Sequence, residues 1–117
     1  MATVVCVPVT LEGQIDPRWG RAARVAVAEV EDGRVVAWQE HDVGWDRTHD
    51  AQGEGRHHAD VARFLLDHGV QAVVAEHMGP PMRNMLERMG LACHLGASGT
   101  ARAAVEALVG PSAPASP

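Results

Sequence analysis

The chain has little of what several large classes of protein require. Its 117 residues hold two cysteines, Cys6 and Cys93, with no Cys-x-x-Cys pair, so both are read as reduced thiols and no disulfide framework is expected. Basic side chains are scarce and scattered. Ten stand against fifteen carboxylates, and a net charge of -5 with histidine neutral excludes the cationic surface on which nucleic-acid binding rests. No apolar run approaches the roughly 18 residues of a membrane span. Residues 1 to 9 are apolar but lack a basic start and reach Pro8 too early for a signal peptide, so a cytoplasmic location is expected. Aromatics are only 3% of the chain, which makes Trp19, Trp38 and Trp45 conspicuous.

Histidine, by contrast, is abundant, with seven in the chain. Imidazole titrates near neutrality and is the commonest transition-metal ligand, so its placement matters. The hydrophobic content of 46% suits one ordinary core at this length. Residues 1 to 109 are expected to form a single domain, and the Pro, Ser and Ala tail from 110 to 117 to be disordered.

The pattern predicts an α/β fold. Val4 to Val9 is a continuous β-branched run, as expected of a strand covered on both faces. Residues 24 to 30 alternate up to Asp32-Gly33, a strong hairpin signal, and Val35 to Trp38 follow as the third strand. Residues 42 to 56 show no apolar period and are expected to be a long loop. A helix begins at Gly55, with Val61, Ala62, Leu65 and Leu66 on its buried face, and ends at His68-Gly69. Val70 to Ala75 reads as a strand, and Pro80-Pro81 opens a second helix bearing Met82, Met85, Leu86 and Met89 at core spacing. That methionine stripe fills the gap between helix and sheet rather than ligating a soft metal. Leu91 to Leu95 is a short fifth strand, and Ala101, Ala104, Val105 and Leu108 mark a third helix.

Helical connections require parallel pairing in the second half of the chain. The expected sheet is therefore five-stranded and mixed, in the order 3-2-1-4-5, with strand 2 alone antiparallel. In that arrangement the segments bearing His41, His49, His57, His58, His77 and His94 lie at one edge, beyond the carboxyl ends of the strands, where open α/β sheets bind ligands. His68 sits elsewhere.

The chain resembles the dinitrogenase iron-molybdenum cofactor biosynthesis family over residues 3 to 109. The likeness rests on the first strand ending in Pro8-Val9, then Asp16-Pro17-Arg18-Trp19-Gly20-Arg21-Ala22, where the family has an Asp, an aromatic and Gly-Arg-Ala. The His- and Gly-rich loop before the first helix, the Gly79 turn and the Gly90-Leu91 strand entry agree with it. Pro80 and Pro81 depart from it, because the family turn after strand 4 is richer in glycine. The resemblance implies a ribonuclease H-like motif and a carrier or scaffold for a metal-sulfur cluster or precursor containing molybdenum and/or iron. It implies no hydrolase.

Candidate cluster-binding residues are Arg18, Trp19, Arg21, His49, His57, His58, His77 and Gly79, with His49, His57, His58 and His77 as the candidate metal ligands. His77 is best placed, following a strand directly. His57 and His58 open a helix, whose positive end favours neutral, ligating imidazole. Their ordinary alternative is that His58 borders the buried face while His57 is solvated. His41 and His94 at strand ends, and His49 in the loop, have solvated or carbonyl-bonded alternatives. Cys93 and His94 point to opposite faces of a strand, and both cysteines are expected to be packing residues. A cluster would then be held without thiolates, by imidazoles, backbone N-H groups and cations such as Arg18, Arg21 and Arg83. Trp19 and Trp45 flank the site as lids or walls, and Trp38 packs. A two-metal nuclease is not expected, since strand 1 offers no carboxylate and Glu76 and Asp16 are too few. The expected partners are the cluster and cluster-assembly proteins, with the chain a monomer or weak homodimer. The competing class is a regulatory or protein-interaction domain of the same fold that has lost the cluster.

Overall fold

In a computed structural model, residues 2–47 and 54–109 are described. His49 and the expected disordered tail at 110–117 lie outside the described residues. The strands are β1 (Thr3–Pro8), β2 (Arg24–Glu31), β3 (Arg34–Asp42), β4 (Ala72–Val74) and β5 (Ala92–His94). The helices are α1 (Glu54–Asp67), α2 (Pro80–Arg88) and α3 (Ala101–Leu108), with a 3-10 turn at Trp19–Arg21. One sheet results, ordered β3-β2-β1-β4-β5, with β2 antiparallel to both its neighbours and β4 parallel to β1 and β5. The expected architecture is the observed one.

Physical rules account for that outcome. The β2–β3 hairpin turns at Asp32 (φ 53°) and Gly33 (φ 77°), and two successive positive φ values make the tight turn whose twist matches a hairpin. One extra residue, Val36, bulges from β3 where the register slips opposite Glu29 and Val30. α1 stops at Gly69, which takes φ 64° at negligible steric cost. α2 starts with prolines in its first turn, where the missing N-H donors have no helical partner to lose.

Two apolar layers sandwich the sheet. Val5, Val7, Val9, Ala26, Ala28, Val74 and Val105 form the layer under α3. Cys6, Val25, Val61, Leu65, Val73, Met82 and Leu86 form the layer under α1 and α2. Alternate residues of β1 feed each layer, which explains why that strand is apolar throughout.

Four readings need correction. Leu66 is 70% exposed, whereas His57, Val61 and Leu65 are buried, so the buried stripe of α1 runs through positions spaced by four and starts on a histidine. His57, not His58, is therefore the inward residue. β3 runs on to Asp42, which keeps His41 inside the strand, paired with Val25 and facing α1. There its ring packs on His68 at 4.7 Å and Phe64 at 5.5 Å, so it joins the histidine expected to stand apart. Finally, residues 45–47 are helical rather than loop.

Candidate functional site

A cleft of about 240 Å³ opens at the carboxyl edge of β1 and β4 on the α1/α2 side. Three stretches build it: Pro17 to Arg21 after β1, His57 and His58 at the start of α1, and His77 to Gly79 with Pro81 and Met82 leading into α2. Of the candidate residues, Arg18, Trp19, Arg21, His57, His58, His77 and Gly79 all line it. His94 does not. It pairs with Val74 and so faces the α3 side, while Cys93 turns toward the other layer.

The first wall is fixed by backbone bonds. Asp16 N-H donates to Pro8 O at 3.0 Å and Ile15 N-H to Gly99 O at 2.8 Å, tying the loop to β1 and to the segment before α3. Asp16, only 5% exposed, accepts from the Arg18 backbone N-H at 2.9 Å and from its Nε and Nη2, both at 3.1 Å. This carboxylate was not among the candidate residues. The signal was present, because an Asp two residues before its partner and beside proline builds an Asx turn. Its hydrogen bonds, then its charge, raise the Arg18 pKa above the ordinary value. Arg18 thus remains a cation at the cleft rim, its side chain 61% exposed.

Trp19 is a wall of the cleft rather than a lid, and Trp45, expected to flank the site, is outside its lining and packs behind Trp19. They are 2% and 3% exposed and meet edge to face, with centroids 5.4 Å apart. Trp45 also abuts His57 at 6.4 Å and Phe64 at 5.8 Å. Backbone bonds from Trp45 N-H to Ala22 O and from Val43 N-H to Ala23 O hold that ring in place. His57 is fully buried, with Nε2 3.6 Å from where a Cβ on Gly20 would stand. His58 is half-buried and His77 exposed, so the imidazoles grade from the depth of the cleft to its rim.

The donor set is rich in N-H groups and poor in thiolates. Cys6 is buried in the sheet, where desolvation pushes its thiol up from 9.0. Cys93 is shifted upward too, first by burial and then by Glu87. Neither lines the cleft. Arg83 is engaged with Glu87 one helical turn on, at 3.1 Å, and is also outside the lining. Among the described residues no three His, Cys, Asp or Glu side chains are gathered to hold a metal ion. Gly79 has φ -65° and a Cβ there would meet only Pro81 Cδ at 3.9 Å, so its backbone does not demand glycine. What the cleft presents chemically is guanidinium groups and imidazole nitrogens, a set suited to an anion.

The raised Cys6 pKa carries a stability consequence. The native state holds the proton more tightly than the unfolded chain, so this contribution is complete below pH 9 and is lost as pH rises past it. With no tyrosine and no lysine, the cysteines are the side chains of the unfolded chain that lose a proton near pH 9. Urea melts should show wild-type stability falling above pH 9 by up to about 1.4 kcal/mol per pH unit. Cys6→Ala should flatten that slope, and an equally steep slope in the variant would assign it elsewhere.

The family model for dinitrogenase iron-molybdenum cofactor matches residues 1–110. The apo form of the orange protein from Desulfovibrio gigas has a TM-score of 0.76 at 24% identity, with 93% of this chain and 88% of that one covered. A candidate NifB protein from Thermotoga, of the DUF35 family, has a TM-score of 0.64 at 25% identity, again with 93% and 88% covered. No curated protein sequence matches the chain.

Proposed function

Because the chain belongs to the dinitrogenase iron-molybdenum cofactor family, we propose that its cleft holds a metal-sulfur cluster or precursor noncovalently, for carriage, storage or assembly. The observation that carries this reading is the convergence of Arg18, Arg21, His57, His58 and His77 on one cleft from three separate stretches of chain. The cargo contains molybdenum and/or iron. It is bound as a preformed anion, and the protein performs no catalysis on it.

Each side chain has a distinct part. Arg18, kept charged and oriented by Asp16, and Arg21 supply positive charge at the rim. His58 and His77 add ring nitrogens that donate when protonated and ligate when neutral. Trp19, with Met78 and Met82, gives an apolar wall that keeps water from competing for the same donors. Cluster-assembly proteins are the partners that load and unload the site, and the chain works as a monomer or weak homodimer in the cytoplasm. Among the described residues no helix is long and apolar enough to cross a membrane.

Titration with thiomolybdate under reducing, oxygen-free conditions tests the reading. Arg21→Ala should weaken binding by roughly tenfold, the worth of a charge-assisted hydrogen bond, while Arg34→Ala at the far hairpin should leave it unchanged. Equal losses in the two variants would reveal unspecific attraction, which added salt would screen. Colourless, metal-free protein from anaerobic purification, together with no thiomolybdate uptake, would favour the regulatory domain instead.

A further inference from the structure

The first turn of α2 stands in the cleft wall, where Gly79, Pro81 and Met82 all line it. A helix start carries N-H groups with no partner inside the helix, and their convergence ordinarily makes a binding place for phosphate and other oxyanions. Here that capacity is cut down. Gly79 is the cap, Pro80 and Pro81 fill the first two helical positions, and helical bonding opens with Arg83 N-H donating to Gly79 O at 3.0 Å. Of residues 79 to 82, whose N-H groups precede that bond, the two prolines have none to offer. At Pro81, which is exposed and lines the cleft, a ring carbon stands where the hydrogen would be. The loop after β1 is similarly short of backbone donors. Pro17 has no N-H, that of Arg18 is given to Asp16 Oδ1 at 2.9 Å, and that of Arg21 to Arg18 O at 3.0 Å. Arg18 Nε and Nη2 are engaged with Asp16 as well.

We propose that Pro81, with Pro80 before it, is a specificity-determining residue that withholds backbone donors from the cleft and so favours sulfide-surfaced anions over oxyanions of equal charge. The assignment rests on the cleft being the cargo site, and it narrows the ligand class. An oxyanion concentrates its charge on small atoms, holds water tightly and is bound well where several directed N-H bonds replace that water. A thioanion spreads the same charge over larger, softer sulfurs. It sheds water more readily and loses less against the apolar surface of Pro81, Met78 and Met82. Arginine at the rim attracts both kinds, and the missing donors select between them.

Molybdate and tetrathiomolybdate, tetrahedral dianions that differ in oxygen against sulfur, are the probes, used without oxygen on the full chain labelled with nitrogen-15. The variant is Pro81→Ala. It restores one N-H at an exposed position, with the best helix former, while Pro80 still opens the helix. Wild type should bind tetrathiomolybdate about tenfold or more tightly than molybdate. The variant should gain about tenfold for molybdate, as expected for one charge-assisted hydrogen bond, and no more than about twofold for tetrathiomolybdate. The amide signal that the substitution creates should move downfield with molybdate. If wild type takes up tetrathiomolybdate but the variant gains nothing for molybdate, gains equally for both anions, or gains without movement of that signal, the proline's role is overturned and the cargo reading stands. Equal binding of the two anions by wild type overturns it too. If wild type takes up no tetrathiomolybdate at all, both readings are overturned.

Discussion

Gly20→Leu is expected to close the cleft to cargo and leave the fold standing. Gly20 does not occupy the left-handed backbone region, so a side chain there meets no conformational penalty. A Cβ would stand 3.6 Å from His57 Nε2 and 3.8 Å from Met82 Cε, both ordinary contact distances. A methyl group therefore fits, and Gly20→Ala should bind nearly as wild type does. Leucine adds three carbons beyond that methyl, and with His57 and Met82 already in contact they must project into the cleft. Cargo would have to displace those carbons, a steric cost of about 1–3 kcal/mol, or roughly 5- to 150-fold in affinity. Thiomolybdate titration measures the loss, and a urea melt should place unfolding within about 0.5 kcal/mol of wild type. Full binding by Gly20→Leu would show that the cargo sits outside this cleft.

The largest stability contrast is expected between two adjacent leucines. Leu65 is 1% exposed and packs with Val61, Val73 and Leu86 in the layer under α1. Leu65→Ala removes three buried carbons and leaves a void, a change that costs about 2–5 kcal/mol. Leu66 is 70% exposed, and its truncation should fall within about 0.5 kcal/mol of neutral. Urea denaturation of the two variants separates them. Similar losses would mean that α1 is rotated about its axis relative to the stripe described here.

That same helix shows where sequence reading reached its limit. Four apolar residues at 61, 62, 65 and 66 define a broad stripe, and apolarity alone cannot decide which edge of it is buried. The deciding residue is His57, a polar group that no hydrophobic count enrols in a core. Sheet order, by contrast, was legible, because a two-residue hairpin forces antiparallel pairing and helical connections force parallel pairing. Most of the cleft was legible for the same reason: once the order is known, the ends of β1 and β4 must share an edge. The length of β3 was not, since Gln39 to Asp42 are polar on an edge strand and carry no alternation to read. His41 was misplaced as a result. The Trp19–Arg21 turn was beyond reach as well, because a single turn has no period.

The cleft's three walls come from stretches far apart in sequence, and they meet only when β1, β4, α1 and α2 are assembled. No single stretch of the chain supplies the whole cleft lining. A cargo bound there, as proposed, would recognise the native state rather than the unfolded chain, so its occupancy would add to the free energy of unfolding. At a free cargo concentration one hundred times Kd the gain is about 2.7 kcal/mol. A loaded molecule opens about a hundredfold less often than an empty one and presents correspondingly less chain to a protease. If the cleft holds a cluster as proposed, empty copies would be removed first where cluster is short, and the abundance of the protein would follow the supply of its cargo.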